Sequence, residues 1–124
     1  MTKNKERLNL MNKYEVTLIT KDGKQTEHIV EGDDGPNFKD MYKLLDCEMI
    51  EISGARKDNK NYDLYFDEEG RLINDPTVNF TASQYFVDWL SHEGRVARIL
   101  NVVGNAALVN PQPVDERKVH ETIK

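Results

Sequence analysis

Few residues in this chain have the type and spacing that chemistry requires. Asp67, Glu68 and Glu69 are consecutive, and Asp33 stands beside Asp34. Grouped carboxylates can offer oxygen ligands to a divalent cation. The calcium-loop spacing D-x-[DN]-x-[DN]-G is absent around both groups. A charged hairpin turn and the start of a helix account for them instead. Thiolate or imidazole ligation would have to draw on Cys47, His28, His92 and His120, none of which stands at ligand spacing. Nucleophilic catalysis needs an activated Ser, Cys or Thr beside a base. Cys47 has no histidine signature near it, and Ser83 and Ser91 lack a G-x-S-x-G elbow. His92 follows Ser91 at an expected helix end, where the dipole favours a cation. The expectation is that the chain has no catalytic, metal-binding or cofactor-binding residues and is not an enzyme.

Binding chemistry has more to draw on. Neither G-x-x-x-x-G-K nor G-x-G-x-x-G occurs, so no phosphate-cradling loop is present. Nucleotides can also be held by an aromatic for stacking and an arginine for phosphate. Tyr62, Tyr65, Trp89, Arg56, Arg71, Arg95 and Arg98 are those parts, although Trp89 in an amphipathic helix reads first as core. The densest mixture runs from Arg56 to Arg71. Arg56, Lys57, Lys60, Tyr62, Tyr65, Asp67, Glu69 and Arg71 form the candidate binding surface.

Local pattern supplies the elements that must position these residues. Tyr14, Val16 and Leu18 alternate with Glu15, Thr17 and Ile19, a half-buried strand. Asp22-Gly23 signals a turn, and Gln25 to Glu31 returns as a polar partner strand. Gly32 to Asn37 are all turn residues, with Pro36 or Asn37 opening a helix. Phe38, Met41, Tyr42 and Leu45 form one helical stripe that ends near Asp46. Met49 to Ser53 reads as a strand, Ala55 to Asn61 as a charged loop, and Tyr62 to Asp67 as the clearest strand. Glu68-Glu69-Gly70 turns the chain into a short strand at Arg71 to Ile73. Thr81 with Gln84 resembles a capping box for a helix that ends near Ser91 and buries Ala82, Tyr85, Phe86, Trp89 and Leu90. Val96 to Val103 is apolar and β-branched, and Gly104-Asn105 turns into a last strand from Ala106 to Val109. The expected fold class is α+β: a mostly antiparallel sheet of about six strands with two helices packed on one face.

The chain has 124 residues, enough for one domain. A basic, flexible arm is expected over residues 1–12, the domain over 13–110, and a charged tail, flexible or marginally helical, over 111–124. The formal net charge is −5, but residues 14–110 hold ten basic and eighteen acidic side chains, a net of −8. Such a domain repels polyanions, so nucleic acid is not its expected partner. Nor is an anionic membrane surface, and no apolar run approaches the ~20 residues of a membrane span. No signal peptide is legible, because the basic start lacks an apolar segment behind it. With a lone cysteine, this fits the cytosol.

The segment YDLYFDEEGRLINDPTVNFTA at 62–82, followed by ILNVVGNAALV at 99–109, resembles a small domain family met in phage and other mobile-element proteins. Tyr65, Glu69-Gly70, Leu72, Asn79, Ala82 and the hairpin around Gly104-Asn105 with Leu108 and Val109 carry the resemblance. It implies a small accessory protein of host cytoplasm and brings no active site. The expected role is non-catalytic binding to a host or viral protein. The alternative is a binder that sequesters a small signalling nucleotide. The sequence leaves the oligomeric state open.

Overall fold

A computed structural model describes residues 11–68, 78–95 and 102–114. In chain order these form β1 (Asn12–Ile19), β2 (Gln25–Gly32), α1 (Phe38–Leu45), β3 (Ile50–Lys57), β4 (Lys60–Asp67), α2 (Phe80–His92) and β5 (Ala106–Val109). The strands make one sheet in the order β2-β1-β5-β4-β3, with every neighbouring pair antiparallel. The α+β class is therefore as the sequence indicates, with five strands among the described residues. The basic arm up to residue 10, the return at Arg71 to Ile73, most of the 96–103 segment and the tail from 115 lie outside the described residues.

Two turns set the hairpins. Thr20 N–H donates to the Lys24 carbonyl at 2.9 Å, which leaves a three-residue loop with Gly23 at φ +93°. Only glycine takes that conformation without a steric cost. The second turn corrects the charged loop expected over Ala55 to Asn61. Asp58 and Asn59 both adopt left-handed backbone, at φ 51° and 65°. Asp and Asn tolerate this region better than other side chains. A two-residue turn results, and the β3–β4 ladder runs without a break to Lys57 opposite Lys60.

The core is divided between the two faces of the sheet. Tyr14, Val16, Val30, Tyr65, Ala107 and Val109 pack with Met41 and Leu45 of α1. Ile19, Ala55, Leu64, Ala106 and Leu108 pack with Ala82 of α2 and with Val102. Within each strand the two sets alternate, so they lie on opposite faces. The helices therefore do not share one face, as expected from sequence, but cover one each. The reason is visible in β5. This central strand, Ala106 to Val109, is buried at every position, so both its faces need cover.

Both helices start from asparagine. The Asn37 side chain accepts from Lys39 N–H at 2.8 Å, as the turn composition suggests. For α2 the cap is Asn79, not the expected Thr81. Its Oδ1 accepts from Ala82 N–H at 3.1 Å, while Nδ2 donates to the carbonyls of Ile19 and Gly104, each at 2.9 Å. One fully buried amide thus starts a helix and ties it to β1 and to the turn before β5. Along its length α2 lies close to β3. The approach depends on Gly54, where a Cβ would stand 2.2 Å from Trp89 Cε2.

Hydrogen bonding also reaches past the expected domain edges. Asn12 Nδ2 donates to the Asp33 carbonyl at 3.0 Å. Val114 N–H donates to the Lys13 carbonyl at 2.8 Å.

Candidate functional site

Alternation along β4 divides the candidate surface. Tyr62 is half-buried against the α2-side cluster, whereas Tyr65 is buried on the α1 side at 6 % exposure. Asp67 stands opposite Ile50 and is half-buried, and Lys60 is exposed at the turn. Glu69 and Arg71 lie outside the described residues. The six described residues therefore do not converge as a group, and Tyr65 belongs to the core.

Arg56 and Lys57 do come together with residues of α2. An open cleft of about 370 Å³ is lined by Arg56, Lys57, Asp58, Tyr85, Asp88 and Ser91. Arg56 Nη1 donates to Asn61 Oδ1 at 2.7 Å. Lys57 Nζ donates to Gln25 Oε1 at 3.1 Å and lies 5.6 Å from the Tyr85 ring centroid. Gln25 Nε2 in turn donates to the Tyr85 hydroxyl at 3.4 Å. Gln25 and Lys57 belong to β2 and β3, opposite edges of the sheet. The sheet is thus curled enough for side chains to span its edges across α2.

Burial pushes the Cys47 thiol up to about 11, with the negative charge of Asp67 adding to the effect. At neutral pH it is the unreactive thiol. Ser83 is buried, and its hydroxyl accepts from Val102 N–H at 2.8 Å. His28 Nε2 lies 2.8 Å from the Thr26 hydroxyl. Among the described residues no three His, Cys, Asp or Glu side chains group as a metal site. No buried side-chain polar atom there lacks a partner. Among the described residues no helix is long and apolar enough to cross a membrane.

A surface the sequence reading missed lies beside α1. Of the helical stripe, Met41 and Leu45 are buried, but Phe38 is 49 % and Tyr42 37 % exposed. The Phe38 ring lies 6.2 Å from both Tyr42 and Tyr65. Ile52 of β3 pairs directly with Tyr65 and is 45 % exposed. Phe38 and Ile52 therefore neighbour one buried tyrosine, and Tyr42 neighbours Phe38, which groups three exposed apolar side chains around it. The available sequence signal was the width of the stripe: an eight-residue helix cannot bury a four-residue face against one side of a sheet.

Neither family models, nor curated proteins, nor solved structures returned a match to this chain.

Proposed function

We propose that this chain is a non-catalytic binding module that docks a protein partner through the apolar patch around Phe38, Tyr42 and Ile52. The patch is the observation that carries this reading. Exposed aromatic and aliphatic side chains grouped around a rigid support are what protein recognition uses. The half-buried, protonated thiol and the serine engaged with backbone agree with a role without chemistry. In this reading the module is an accessory protein of a phage or mobile element, and its partner is a host or viral protein in the host cytoplasm.

The test is capture from host lysate with the full chain and with a Phe38→Ser/Tyr42→Ser variant. The exposure of both rings predicts a folded variant with an unchanged circular dichroism spectrum. Saturable capture by the wild type that is lost in the variant is the expected result. Equal capture by both proteins would refute the patch as the docking site.

A second reading rests on the cleft. Two cationic side chains lining one cleft with Tyr85, Lys57 beside its ring, suit a small phosphorylated or nucleotide ligand. Asp58 and Asp88 on the same walls select against multiply charged anions. Thermal-shift screening against nucleotides discriminates, because ligands of the native state raise its stability. No shift across such a panel would eliminate this reading.

A further inference from the structure

We propose that the outer edge of β2 binds an extended peptide segment in which basic residues stand two positions either side of an apolar one. This surface is separate from the α1 patch, and its use does not require the patch. Thr20 N–H bonds to the Lys24 carbonyl, which fixes the phase of the alternating hydrogen-bonded pairs in the β1–β2 ladder. Thr26, His28 and Val30 then bond to β1, while Gln25, Glu27, Ile29 and Glu31 turn their main-chain groups outward. The Asn37 N–H that donates to the Glu31 carbonyl at 2.8 Å confirms that phase. Among the described residues, nothing pairs with the outward groups from Gln25 to Ile29.

Side chains of these outward residues share one face and define what can add there. Ile29 is 57 % exposed. Around it stand Glu27 and Glu31 on the same strand and Glu15 directly opposite. The Glu27 carboxylate is held by the Thr17 hydroxyl, at 2.8 and 3.0 Å from its two oxygens. Carboxylates outnumber Lys13, the basic neighbour opposite Glu31. An added strand pairs with Glu27 and Ile29, and its next outward side chain extends toward the Glu31 carboxylate beyond the paired edge, where Asn37 holds the carbonyl, so basic-x-apolar-x-basic is complementary in either direction. A second copy of β2 is not. Centred antiparallel on Ile29, it would set Glu27 against Glu31 of its partner, a like-charge pair.

The probe is a short synthetic peptide of alternating Thr with a Lys-Thr-Val-Thr-Lys centre, titrated against the full chain. Saturable binding is expected, with slowed amide exchange at Glu27 and Ile29 and weaker affinity as salt rises. A peptide with Glu in place of both Lys is expected to bind at least about tenfold more weakly. Glu27→Lys/Glu31→Lys should invert that preference. Ile29→Pro removes an N–H that β1 does not use, so binding is lost while the circular dichroism spectrum is kept. Equal binding of the Lys and Glu peptides, or no binding of either, would overturn the proposal and leave the carboxylates as guards against edge pairing. A concentration-dependent dimer protecting the same amides would overturn it in favour of a second copy.

Discussion

Asn79 is the residue on which most depends. Its amide is fully buried and carries three hydrogen bonds to two strands' connections and a helix start. Asn79→Ala removes the cap and orphans two carbonyls, so a loss of about 2–4 kcal/mol is expected in urea unfolding. Asn79→Asp keeps the acceptor for Ala82 N–H but replaces both donations with a carboxylate facing carbonyl oxygens. It should destabilise more than the alanine variant at pH 7, and the gap should narrow in acid as the carboxyl protonates. Asp63 shows the same sense of pH dependence in the native chain. Burial raises its carboxyl above the ordinary 3.8, so the folded state holds the proton more tightly than the unfolded state. Stability contributed by the protonated group is present below that ordinary value and is lost as pH rises through the raised one. Asp63→Asn should therefore raise Tm at pH 7 by about 1–3 °C and leave Tm at pH 3 nearly unchanged.

At the scale of elements, the outcome turned on whether local pattern sufficed. β1, β2 and α1 were legible because alternation, turn residues and a 3.6-residue stripe all point the same way in 14–46. The β3–β4 hairpin was legible only in part. Asp58-Asn59 lacks the glycine that usually marks a two-residue turn, so charge disguised strand as loop. The α2 cap was mistaken because Asn79 works through tertiary acceptors that the sequence does not display. The face each helix covers is likewise a property of β5, legible only once AALV is known to lie at the centre of the sheet. The candidate site was the least legible part, since period-two alternation separates Tyr62 from Tyr65. The fit between α2 and β3 allows a direct check. Gly54→Ala places a methyl group where the Trp89 ring lies, and overpacking of this kind costs about 1–3 kcal/mol. Trp89 is the chain's one tryptophan, so its emission should shift as the stability falls. An unchanged spectrum with unchanged stability would show that α2 does not approach β3 this closely.

The whole molecule is two apolar layers that share one thin strand. Ala107 and Val109 face α1, while Ala106 and Leu108 face the α2 side. β5 is flanked by β1 and β4, so neither layer can open without stripping cover or hydrogen bonds from the other. The two layers should therefore unfold together. Met41 is fully buried in the α1 layer, and Met41→Ala should cost about 2–5 kcal/mol. Trp89 stacks on Phe86, with ring centroids 6.0 Å apart, and reports on the other layer. If the layers are coupled through β5, the variant lowers the tryptophan unfolding midpoint and the circular dichroism midpoint by the same amount. Combining Met41→Ala with Leu64→Ala, on the opposite face, should then lower one shared transition further rather than produce two. A tryptophan midpoint that stays in place while the dichroism transition splits would show that α1 and its layer unfold independently. That outcome would also recast the exposed Phe38–Tyr42 surface, because an α1 layer able to detach could present Met41 and Leu45 to a partner as well.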